Sequence, residues 1–291
     1  MPATFAKDLC GYRAHGKPNT SDASEAFSVE LGQALFEVLG VDPGAHGDEP
    51  TGGPFADRVA ADLRSRAEDA GSSTVVTPEM SLNMFEQYKH VGALRGMKPD
   101  ASRELRRALD RAYALIRRKI VSPPRDLARA EELILNVETA LSEEIERRRL
   151  LLEQVGVESL LKLDVTASRY RTPTSDPELL VGLSLKWSLR TDRAQDCRSQ
   201  GAKMAALRRG PMPHFAAVTM EPRPYMLNLL AGGSGDVDCV YHLDLPALTT
   251  AVEAVCAGRP LRRTTLETFR RMVAQRRVQD YDELVARVLQ V

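Results

Sequence analysis

Leu179-Leu-Val-Gly-Leu-Ser-Leu-Lys-Trp187 is an apolar run that ends in a lysine and a tryptophan, and it reads as a buried strand. Behind it, the turn-rich segment Thr172 to Pro177 separates it from a second strand, Leu160-Leu-Lys-Leu-Asp-Val-Thr-Ala-Ser-Arg-Tyr170. Ahead of it, Thr191 to about Leu207 reads as a helix. His214-Phe-Ala-Ala-Val-Thr-Met220 and Val237-Asp-Cys-Val-Tyr-His-Leu243 then read as two further apolar strands, and helices close the chain. Strand, strand, helix, strand, strand is an α/β core with a sheet of mixed pairing.

The first half of the chain reads as helical. Asn19-Thr-Ser-Asp-Ala-Ser-Glu-Ala-Phe27 resembles a capped entry into a helix that runs to about Leu39. Gly40 to Pro54, rich in Gly, Pro and Asp, reads as a surface loop. Phe55 to Ala67 has helical periodicity, with Phe55, Val59 and Leu63 on one face, and Met80 to Leu94 is expected to be another helix. Two long charged helices follow, from about Ala101 to Val121 and from about Arg125 to Val155, divided by Pro123 and Pro124. The expectation is one domain over residues 1–291 that carries residues 101–155 as a helical insertion or arm. Blocks such as Glu143-Glu-Ile-Glu-Arg-Arg-Arg149 suit a solvated helical pair, with a dimerisation arm as the sharper alternative.

Composition narrows the function classes. The chain has 291 residues, 40 Lys and Arg against 40 Asp and Glu, so bulk positive charge does not drive nucleic-acid binding. A local basic face can still coexist with acidic helices elsewhere. No run of eighteen apolar residues is present, so no membrane span is expected, and the N-terminus lacks the apolar core of a signal peptide. Cys10, Cys197, Cys239 and Cys256 are scattered without metal-ligand spacing, which fits a reduced, cytoplasmic setting.

The chemistry gathers around the opening strand. Phosphodiester cleavage with Mg²⁺ needs carboxylates to hold the ion and benefits from a cation beside the phosphate. Asp164 lies mid-strand and Lys186 near the end of the next, and a hairpin pairing brings both to one end of the sheet. Ser184 precedes Lys186 by two, which places both on one strand face. Leu163-Asp164 and Ser184-Leu185-Lys186 have the shape of a PD-(D/E)xK nuclease site, although an acid and a lysine on adjacent strands also form ordinary edge pairs. Arg190-Thr191-Asp192-Arg193 opens the next helix, and a helix N-terminus is the part a major-groove reader points at base edges. Arginine can bond guanine O6 and N7 bidentately and aspartate can accept from cytosine N4, so this tetrapeptide suits adjacent G·C pairs. Helix capping by Asp192 beside two solvated arginines is the plainer reading.

The sequence resembles the NgoMIV-type restriction endonucleases. The resemblance is carried by Leu185-Lys-Trp-Ser-Leu-Arg-Thr-Asp-Arg-Ala-Gln195, with Arg198-Ser199, Pro213-His214 and Thr219-Met-Glu-Pro222; by Gly235-Asp-Val-Asp-Cys-Val-Tyr-His242; and by Gln87-Tyr-Lys-His-Val-Gly-Ala-Leu94. It implies a restriction-endonuclease-like fold and a Mg²⁺-dependent homodimer or homotetramer that cuts double-stranded DNA at palindromes with a CCGG core, GCCGGC being a candidate site. It puts Lys186 on the catalytic lysine, Ser184 on its neighbouring serine, and Arg190, Asp192 and Arg193 on the readers of the core. Asp57, in Thr51-Gly-Gly-Pro-Phe-Ala-Asp57, falls on an upstream active-site glutamate.

The chain departs from the family at several positions. Gln200 stands where the family carries a glutamate; its carbonyl can accept a contact but has no charge, and Asp196, one turn earlier, is a substitute metal ligand. An unbroken alignment puts Arg118 at the catalytic aspartate, whereas reading the second long helix as an insertion puts Asp164 there, on a strand as the role requires. A family arginine that reads the flanking pair aligns with Met226, and nearby Arg223 is its candidate replacement. These departures leave two alternatives to an active nuclease: a sequence-specific DNA-binding protein or regulator that has lost cleavage, and, less favoured, a helical interaction protein built on residues 101–155.

Overall fold

The computed structural model describes residues 3–50, 53–93, 100–119, 124–155, 161–233 and 235–290. The element order is α1 (Ala6–Leu9), α2 (Ala26–Leu39), α3 (Gly53–Asp69), β1 (Val75–Ser81), α4 (Lys89–Ala93), α5 (Asp100–Lys119), α6 (Pro124–Val155), β2 (Lys162–Arg169), β3 (Glu178–Leu185), α7 (Thr191–Leu207), β4 (His214–Thr219), α8 (Pro224–Ala231), β5 (Cys239–His242), α9 (Leu245–Cys256), α10 (Arg263–Ala274), β6 (Val278–Asp280) and α11 (Tyr281–Leu289). The chain divides into two compact units: residues 1–88 with 161–291, and residues 89–160.

The first unit is built on one six-stranded sheet in the order β1-β2-β3-β4-β5-β6. β1, β2 and β3 pair antiparallel, and β3 to β6 pair parallel. The mixed pairing follows from the connections. A short turn around Thr172–Ser175 can only return β3 alongside β2, whereas α7 supplies the long crossover that a parallel β3–β4 pair needs. The parallel strands are apolar runs because helices cover them: all of β5 is buried, as are residues 215–219 of β4. Helix α7 meets the sheet with Ala194, Cys197, Gly201 and Met204, a stripe at helical spacing. At Gly201 a methyl group would sit 1.8 Å from the Asp236 carbonyl oxygen, so only glycine allows this approach between α7 and the loop before β5. Arg198 of α7 ties down the same loop through Asp236, at 3.1 Å.

Three expectations change. Met80 to Leu94 is not one helix. Leu82, Phe85 and Tyr88 are all buried, and a repeat of three suits two 3₁₀ turns, Leu82–Met84 and Glu86–Tyr88. Only Lys89–Ala93 is α-helical, and residue 94 lies outside the described residues. The Gln87 side-chain amide here bonds both backbone polar atoms of Leu179, at 2.8 and 3.0 Å. Strand β1 was not expected; Pro78 within it is compatible with its place at the edge of the sheet. The helix expected to be entered through a cap within Asn19 to Phe27 starts at Ala26, with Glu25 at the N-cap position and no side-chain cap bond, while Asn19 is buried, donating to the Leu9 and Asp48 carbonyls.

In the second unit, α5 and α6 pair antiparallel. Arg106 donates to Ser142 at 3.0 Å and Tyr113 to Glu131 at 3.2 Å, so ascending numbers on one helix meet descending numbers on the other. The expected helix end at Val121 and the strand start at Leu160 lie outside the described residues. Among the described residues no helix is long and apolar enough to cross a membrane.

Candidate active site at the end of β3

The hairpin of β2 and β3 brings the two halves of the expected motif together. Val165 pairs with Leu183, so the next positions outward, Asp164 and Ser184, reach the end of the hairpin. Asp164 accepts a hydrogen bond from the Leu185 amide at 2.6 Å. Lys186 follows directly, its amide still bonded to Val218 of β4 at 3.0 Å, and its Nζ lies 4.0 Å from Asp164 Oδ2. From the other side α7 contributes Asp196, whose Oδ2 lies 3.4 Å from Lys186 Nζ. One ammonium therefore stands between two carboxylates that come from a strand and a helix.

These groups line an open cavity of about 380 Å³ together with Glu49, Asp192 and Arg193. Burial pushes the Asp164 carboxyl above its ordinary value, and the nearby Asp196 charge adds to this; the Leu185 amide and Lys186 pull it back down. A carboxylate in that state gains from a cation placed against it. Among the described residues no three His, Cys, Asp or Glu side chains form a closed metal-ligand cluster. The donor set nonetheless fits Mg²⁺, a hard ion that keeps several waters and commonly takes one or two protein carboxylates.

The remaining expected residues divide. Gln200 sits one turn beyond Asp196 and its Nε2 lies 3.4 Å from Asp196 Oδ2, at the margin of the site. Ser184 is fully buried beside Cys197 under α7, and its hydroxyl does not line the cavity. Asp57 is exposed on α3; Phe55, two residues earlier, does line the cavity, and two residues turn a helix by about 200°, which points Asp57 away. Arg118 lies on helix α5, whereas Asp164 lies on a strand beside Lys186.

The expected reading residues are at the start of α7. Arg190 is exposed at the N-cap position with extended backbone, and Asp192 is exposed in the first turn. Arg193 is held by Glu49, which also accepts from the Ser188 hydroxyl at 2.9 Å and lies 3.6 Å from Arg13. Arg223, by contrast, is buried. Its guanidinium bonds Glu221, the Leu189 carbonyl, Glu25 and Tyr225, so its donors are engaged by other groups of the protein.

Two acids at this site had no role in the sequence reading. Glu49 lies in the Gly- and Pro-rich loop, where no periodicity marks which side chain turns inward. Glu221 lies in Thr219-Met-Glu-Pro222, where an acid directly after an apolar strand was the available signal. Asn19 joins the Glu49 loop to the site: its side chain donates to the Asp48 carbonyl and accepts from the Trp187 indole at 3.2 Å.

The chain is 27% identical over 205 residues to the type II restriction enzyme NgoMIV of Neisseria gonorrhoeae. The aligned stretch is 70% of this chain and 62% of that protein, less than two thirds of its length. The mixed six-stranded sheet flanked by helices is consistent with a restriction-endonuclease-like fold. The sequence matches the NgoMIV restriction enzyme family over residues 68–288, most of the chain including β2, β3 and α7, and the protein belongs to that family.

Proposed function

We propose that this protein is a Mg²⁺-dependent type II restriction endonuclease that cuts duplex DNA at a palindrome with a CCGG core. The observation that carries the proposal is the placement of Lys186 between Asp164 and Asp196, in a cavity that also opens on the first turn of α7. Asp164 and Asp196 would hold the metal. The ion, when bound, supplies Lewis-acid polarisation of a phosphoryl oxygen and acidifies water. Lys186 would orient the attacking water and offset the charge that builds on phosphate as the new P–O bond forms and the old one breaks. Arg190, Asp192 and Arg193 would read the bases, each with donors or acceptors suited to G·C pairs. A palindromic site calls for a symmetric pair of protomers, hence a homodimer or homotetramer. Four unpaired cysteines suit a reduced, cytoplasmic setting.

The test is a digest of sequenced DNA with Mg²⁺, run beside a Lys186→Ala variant. Cuts at fixed sites containing CCGG are expected from the first, and binding without cutting from the second. Cuts at unrelated sequences, or undiminished cutting by Lys186→Ala, would sink the proposal. One observation favours a second reading, a binding protein without cleavage: the neutral amide of Gln200 beside Asp196. Tight binding to the CCGG duplex with no cutting in either Mg²⁺ or Mn²⁺ would select it.

A further inference from the structure

We propose that Glu221 and Arg223 are positioning residues that aim Arg190 at DNA by gripping both polar atoms of Leu189. The inference rests on the functional reading above. Glu221 is fully buried, and the Arg223 side chain is 2% exposed. Glu221 Oε2 accepts from the Leu189 amide at 2.6 Å, and Arg223 donates from a terminal nitrogen to the Leu189 carbonyl at 2.6 Å. The two side chains are joined to each other by two contacts, Arg223 Nε to Glu221 Oε1 at 2.6 Å and a terminal nitrogen to Oε2 at 3.0 Å.

The Leu189 carbonyl and the Arg190 amide belong to one rigid peptide plane. Fixing that oxygen therefore fixes the direction in which the chain enters Arg190, the exposed residue at the N-cap position of α7. The same segment holds the turn a second time: the Thr219 hydroxyl donates to the Trp187 carbonyl at 3.2 Å and accepts from the Glu221 amide at 3.1 Å.

Satisfying one turn peptide does not require charge, because a buried amide or hydroxyl can serve. Burying two charges is costly before their attraction is counted, and such pairs are often replaceable by apolar residues without loss of stability. A planar guanidinium locked onto a carboxylate offers something else, a fork of short charge-assisted bonds with little angular freedom. Its outer edge continues to the surface, where Arg223 reaches Glu25 at 3.3 Å and Asp22 at 3.7 Å. Asp22 is close enough to Arg190 for the two charges to interact, so the clamp also orders the acidic neighbour of the reading arginine.

The test compares wild type with Glu221→Gln, Arg223→Lys and Arg223→Met by selection of bound duplexes from a randomised DNA library, with Ca²⁺ in place of Mg²⁺ so that DNA is held rather than cut. Melting temperatures are measured in parallel. Glu221→Gln keeps the shape and one acceptor, so it remains informative if the arginine variants fold poorly. The expected result is a loss of about tenfold or more in base preference at one symmetric pair of positions in the selected site, with the remaining positions still discriminated. Arg223→Lys should lie between wild type and Arg223→Met. Preference that is unchanged, or that falls evenly at every position with the melting temperature, overturns the inference alone. A wild type that selects no sequence overturns the functional reading and this inference with it.

Discussion

The guanidinium of Arg193 is bonded to the carboxylate of Glu49 within the cavity that Asp164 and Lys186 line. A carboxylate presents to arginine the same paired acceptors that a phosphate or a guanine edge would. Glu49 thus occupies an arginine that the proposed recognition needs, and its own charge would repel a DNA backbone. Glu49→Gln is expected to tighten binding to a CCGG duplex about tenfold, measured by fluorescence anisotropy at fixed salt. Weaker binding would mean that Glu49 positions Arg193 rather than competing for it.

In the proposed reaction Asp164 would link catalysis to stability in opposite directions. Its carboxyl is raised above the ordinary value by burial, so the folded state holds that proton more tightly than the unfolded state. The group favours folding at low pH, and that contribution is lost as pH rises through the raised value, leaving a cost at neutral pH. Asp164→Asn retains an acceptor for the Leu185 amide without the charge. It should therefore melt higher than wild type at pH 7, with the difference shrinking as pH falls into the carboxylate range, and it should not cut DNA. A lower melting temperature for the variant at pH 7 would contradict the assigned cause.

Gln200 offers a gain-of-function test. Its amide lies beside Asp196, so Gln200→Glu would add a negative charge at the edge of the proposed metal site. A third hard donor beside Asp164 and Asp196 would strengthen Mg²⁺ binding, and the Mg²⁺ concentration giving half-maximal cleavage should fall several-fold. An unchanged Mg²⁺ requirement would place residue 200 outside the metal's reach.

His242 sets an acid limit on the fold. It is fully buried at the end of β5, where its Nδ1 accepts from the Asp244 amide at 3.1 Å, and burial lowers its pKa to about 4. A depressed pKa leaves stability intact above the unfolded value of about 6.5 and erodes it as pH falls from there toward 4. The loss should reach about 3 kcal/mol by the lower end. Chemical denaturation across that window should show a shallower slope for His242→Asn, and equal slopes would remove His242 as the cause.

Local pattern carried much of the fold. The apolar runs of β2 to β5 were legible because strands in a covered sheet are apolar along their length. Element order pointed to a sheet of mixed pairing, and connection length explains the hairpin of β2 and β3 and the crossover through α7 seen in the structure. β1 and β6 were not legible: one is an edge strand broken by Pro78 and the other has three residues, Val278–Asp280, so neither shows a period. At the site, Asp164 stood out because it interrupts an apolar strand and Lys186 because it closes one, which is conspicuous in one dimension.

Asp57, Ser184, Arg223 and Glu49 show where that reasoning stops. The first three were expected at the site from the sequence and its family resemblance, whereas Glu49 had no expected role. In three dimensions one is turned outward by the helix, one is buried under α7, one is consumed by an ion pair, and the fourth, from an unpatterned loop, enters the cavity. Period and composition report which face of its own element a side chain takes, and that was enough for the strands, for α7 and for the lysine at the end of β3. Whether a charge meets DNA or another charge depends on segments far apart in the chain, as with Arg193 and Glu49, or Arg223 and Glu25. Their pairing is set when the fold closes, because a buried ion must find a partner wherever the packing supplies one.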